Sequence, residues 1–146
     1  MSFRNPELLA PRALSVLRIV SAYLLLQHGS AKLLGFPKVA YFDNLPIFSL
    51  IGTAGILELV GGVLLLIGLF TRPAAFVLSG LLAFAYFIGH APKGNVLIPF
   101  LNQGEAAVLF SFIFLLIAAA GAGPWSVDAW RVRKTSSIAT PAAAAA

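Results

Sequence analysis

The chain has 146 residues, of which 60% are hydrophobic and only 10% charged, with a mean hydropathy of +0.94. So few charges cannot cover a water-soluble globule, so the composition specifies an integral membrane protein of a single domain. The lack of cysteine excludes disulfides and thiol chemistry on this chain. The net charge of +5 does not point to nucleic acid, because Lys and Arg gather at the chain ends and in short turns, with no basic stripe.

Four apolar segments are predicted as membrane helices, because backbone groups in lipid must satisfy one another. The first is Ala13–Leu34. It carries Arg18, His28 and Lys32 and lacks the short apolar region and small-residue cleavage site of a signal peptide, so it reads as a span. At 100° per residue, Arg18, Ser21, Leu25, His28, Gly29 and Lys32 fall within a sector of about 100°, a polar stripe expected to face protein. The second segment, Ile47–Phe70, holds Glu58 as its one charge. A carboxylate near the middle of a span needs a partner, a proton or a water-filled cavity. Its glycines, Gly52, Gly55, Gly61, Gly62 and Gly68, permit close helix approach.

Thr71-Arg72-Pro73 is a very short connection, which makes the third segment, Pro73–Ala91, an antiparallel neighbour of the second. It ends with Tyr86 and His90. The fourth, about Gln103–Ala122, begins with Glu105. The connections Gly35–Pro46 and Pro92–Asn102 are longer and are expected to cap one end. Residues 135–146 (TSSIATPAAAAA) are expected to be a disordered tail. The expected fold is an all-α, four-helix membrane bundle over residues 1–134.

Arg4, Arg12, Arg72, Arg131, Arg133 and Lys134 flank one side, and Lys38 and Lys93 the other. This bias places both termini in the cytoplasm and the longer loops outside. Depths at 1.5 Å per residue bring His28, Lys32, His90 and Glu105 to one level near the outer rim, with Glu58 beneath them close to the midplane. Each has a plainer reading. Lys32 and Arg18 can snorkel to an interface, Glu105 suits a helix N-terminus, and Glu58 can be a register-setting ion pair with Arg18 or Lys32.

The sequence resembles the DoxX family of small bacterial four-helix membrane proteins. The resemblance rests on LRI at Leu17–Ile19, HGSAKLLGF at His28–Phe36, and LELVGGVLLLIGLFTRPAA at Leu57–Ala75. It continues in HAPKG at His90–Gly94, GEAA at Gly104–Ala107 and GAGPWSVD at Gly121–Asp128. It implies a multi-pass protein of the bacterial inner membrane, often labelled an oxidoreductase component. Family members are associated with thiosulfate-oxidising, quinone-reducing enzymes and with complexes of sulfur metabolism and oxidative-stress defence.

Three functional expectations follow. In the first, the protein is a quinone-facing redox subunit. His28, His90 and Glu58 relay protons, Lys32 stabilises a quinol anion, and Glu105 and Tyr86 complete the candidate set. With no cysteine, Rossmann fingerprint or flavin motif, the chain then needs a redox partner or bound cofactor. In the second, His28 and His90 hold haem, or with the two glutamates a metal. In the third, the bundle is a scaffold or small-solute permease, which suits a homo-oligomer.

Overall fold

The computed structural model describes residues 6–138. Arg4 and the tail from 139 to 146 lie outside the described residues. Among those described there are five α-helices and no strand: α1 (Pro6–Leu33), α2 (Leu50–Ile67), α3 (Thr71–Ala85), α4 (Glu105–Ala120) and α5 (Val127–Ile138). After α3 the helix widens into a π turn, Tyr86–His90, and then tightens into a 3-10 turn, Ala91–Lys93.

Three helical stretches are long and apolar enough to cross a membrane: Leu9–Leu33, Leu50–Ile67 and Thr71–Lys93. α4 is apolar but has only 16 residues, so it reaches about 24 Å. α5 was not expected. Its Trp, Arg and Lys content hides it from a hydropathy reading, and it carries helix through residues 135–138, inside the segment expected to be disordered.

α1 packs mainly on α2 and α3 mainly on α4, with α2 against α3 joining the two pairs. The shared core draws on all four: Leu25 from α1, Leu65 from α2, Leu78 from α3, and Phe114 and Ile117 from α4. Many large apolar side chains point away from it, among them Phe76, Phe84 and Phe112. Such outward apolar surface suits a lipid surround.

Lipid gives little hydrophobic drive for helix association, so close packing and polar links must supply it. Gly29 supplies the packing for the first pair, since a Cβ there would sit 2.8 Å from the Leu59 nitrogen of α2. Ser79 and Ser111 supply a polar link for the second. Each hydroxyl donates to the other residue's carbonyl across α3 and α4, at 2.8 and 3.0 Å.

Candidate functional site: a buried ion pair and two helix-end networks

Lys32 stands in the last turn of α1 and Glu58 in the middle of α2, beside the Gly29 crossing. The Lys32 ammonium donates to both oxygens of Glu58, at 2.5 and 2.6 Å. Their side chains are 13% and 6% exposed, so the pair is largely desolvated. Phe42, from the 3-10 turn Ala40–Phe42 in the first loop, lays its ring 5.9 Å from the ammonium. Of the two register partners considered for Glu58, the structure selects Lys32. The pair neutralises both charges but leaves its chemistry available, since separating it exposes an ammonium to an incoming anion and a carboxylate to a proton.

His28 lies one turn before Lys32 but is exposed. The buried face of α1 centres on Arg18, Ala22, Leu25 and Gly29, and His28 sits at the rim of that sector, turned outward. No hydrogen bond or ion pair joins it to Glu58.

His90 and Tyr86 belong to a second network, at the junction of the π turn and the loop before α4. Tyr86 Oη donates to the Val96 carbonyl at 2.7 Å and accepts from Asn102 Nδ2 at 3.2 Å. Asn102 is 2% exposed, and its amide also donates to the Asn95 carbonyl while its Oδ1 accepts from the Gly104 N–H. His90 Nδ1 lies 3.2 Å from the Asn102 carbonyl. A carbonyl only accepts, so the contact requires the proton on Nδ1. Glu105 is exposed in the first turn of α4, where a helix dipole favours an acid. Thus the structure joins Lys32 with Glu58, and Tyr86 with His90 through Asn102. It leaves His28 and Glu105 outside both groups. Among the described residues no three His, Asp or Glu side chains gather as a metal site.

A third network lies at the opposite, basic end, and sequence reasoning missed it. Arg18 does not snorkel. It is fully buried and donates to the Leu65, Leu66, Ala122 and Trp125 carbonyls, tying the end of α2 to the turn before α5. Gly68, at φ 71°, ends α2 there, and a Cβ would press on Ser126 and the Arg18 guanidinium. Arg72 donates to the Ala118 and Ala119 carbonyls, covering the C-terminus of α4. Asp128 of α5 accepts from the Phe70 and Thr71 N–H groups at 3.1 and 2.9 Å, capping α3, whose own cap residue has no polar side chain. Burial raises the Asp128 pKa, but the Thr71 and Phe70 N–H donors and Arg131 outweigh it and hold it below 3.8.

A family model described as DoxX matches residues 13–91. The chain belongs to the DoxX family. The matched region of this DoxX chain contains Lys32, Glu58, Tyr86 and His90. A relative from Haemophilus influenzae, described as an uncharacterized protein, is 45% identical over 126 residues, covering 85% of this chain and 94% of its own length. No solved structure matches.

Proposed function

We propose that this DoxX protein is a multi-pass inner-membrane subunit with four spans and both termini in the cytoplasm, which presents a proton-donating site to a lipid-soluble quinone. The observation that carries the reading is the desolvated Lys32–Glu58 pair, with His28 one turn away on an exposed face of α1. A molecule served by an outward-facing histidine approaches from the lipid, as quinones do.

Reducing a quinone to a quinol takes two electrons and two protons. The electrons come from the redox centre of a partner, because this chain carries no cysteine and no flavin or dinucleotide fingerprint. His28 gives a proton to one quinone oxygen and is recharged from water at the loop end, which also supplies the second proton. Lys32 stabilises the developing oxyanion, and Glu58 holds the ammonium in place. A non-enzymatic scaffold or small-solute permease is the second reading. It is favoured by the closed, bidentate form of the pair, in which each charge is already taken up by the other.

Mass spectrometry of quinone co-purifying with the full chain tests the proposal. Wild-type protein is expected to carry quinone and His28→Ala protein to lose it at unchanged membrane abundance. Wild-type protein without quinone, together with unaltered oxidant resistance in His28→Ala cells, overturns the redox reading in favour of the scaffold.

A further inference from the structure

The basic end carries a second binding feature that the quinone reading does not use. An open groove of about 620 Å³ runs between the start of α1 and the turn into α5. Its walls are apolar and small: Pro11 and Leu14 on one side, and Ala120, Pro124 and Ala129 on the other. Trp125 and Trp130 stand exposed at the same end, where indole rings favour the lipid headgroup level. Asp128 pins α5 to the start of α3, so the wall formed by Ala129 is held in place.

Charge sets what the groove accepts. Arg133 lies one turn after Ala129, so the two share a face of α5. It is exposed and has no ion-pair partner among the described residues. Arg131 flanks the same helix with its guanidinium 5.7 Å from the Phe70 ring, and Lys134 covers the Trp130 ring at 5.3 Å. The acid of this helix, Asp128, is already taken up by two backbone N–H groups. An apolar slot with an exposed arginine one helical turn beyond its α5 wall matches a molecule with an acyl chain and an anionic headgroup.

We propose that this groove binds an anionic phospholipid, with an acyl chain against Pro11, Leu14, Pro124 and Ala129 and the phosphate at Arg133. The lipid fills the gap between α1 and α5 and so joins these two helices. Arginine suits the phosphate because its planar fork can donate two hydrogen bonds to it. The site is distinct from the Lys32–Glu58 pair, and its test does not depend on any redox activity.

Native mass spectrometry of the full chain released from nanodiscs of equal phosphatidylglycerol and phosphatidylcholine provides that test. Wild-type protein is expected to retain phosphatidylglycerol in preference to phosphatidylcholine. Arg133→Gln, an exposed change that leaves the fold intact, is expected to weaken this preference about fivefold, the effect of one interfacial cation. Ala129→Phe fills the slot and is expected to remove the bound lipid, whereas Lys93→Gln at the loop end is expected to change nothing. Equal retention of both lipids by wild-type protein, or an unchanged preference in both Arg133→Gln and Ala129→Phe, overturns the proposal. The latter result would assign the cations of α5 to an acidic protein partner.

Discussion

Glu58 is tolerable inside an apolar helix because Lys32 reaches it at 2.5 Å and shares its burial. Removing one partner of such a pair strands the other charge, at about 3–5 kcal/mol, whereas replacing both by apolar groups is often neutral or stabilising. Lys32→Met alone and Glu58→Leu alone are therefore expected to lower the thermal stability of the purified protein sharply. The double variant is expected to regain most of it. If the pair also serves the quinone, the double variant stays folded but loses quinone retention. Recovery of both properties would reduce the pair to a register device. Much of this was legible in the sequence, since a lone carboxylate in a long apolar run demands a partner. The position of His28 was less so, because a residue at the rim of a helical sector turns inward or outward on a few degrees of rotation.

At the scale of elements, the helix ends at the basic side are finished by side chains borrowed from elsewhere. Asp128 does for α3 what Phe70, at φ 49°, cannot. Its carboxyl is held below 3.8, so the ionised form stabilises the α5 attachment above that pH. The contribution is lost as pH falls through the lower folded value. Fluorescence of Trp125 and Trp130 is expected to stay constant from neutral pH down to about 4 and to change below it. Asp128→Asn is expected to abolish that transition, and Asp128→Ala to weaken the cap by about 1 kcal/mol. A transition centred above pH 5 would refute the assignment to Asp128. None of these caps was legible in advance, because Arg18 and Arg72 bind backbone carbonyls, which every residue has. Asp128 lies 58 residues from its Phe70 partner.

For the whole molecule, hydropathy foretold an all-helical membrane protein. The networks at the two ends have different characters. The loop end holds the ion pair and both histidines, while the basic end holds arginine-to-carbonyl caps. In the proposed topology, with the basic flank in the cytoplasm, alkaline phosphatase fused after Ala122 is expected to be inactive, and fused within residues 92–102 active. The reverse pattern would invert the topology and move His28 and His90 to the cytoplasmic side.

Arg18 also imposes an order in time. It lies in α1, yet two of its carbonyl partners lie 104 and 107 residues later in the chain. At ~5–20 residues per second it waits roughly 5–20 s for them. During synthesis its guanidinium must be served by water or headgroups at the membrane face. The bundle can close over it only when the turn into α5 has emerged. The turn into α5 is thus the latch on α1, and a nascent protein stopped at Gly121 carries an arginine with half its final partners.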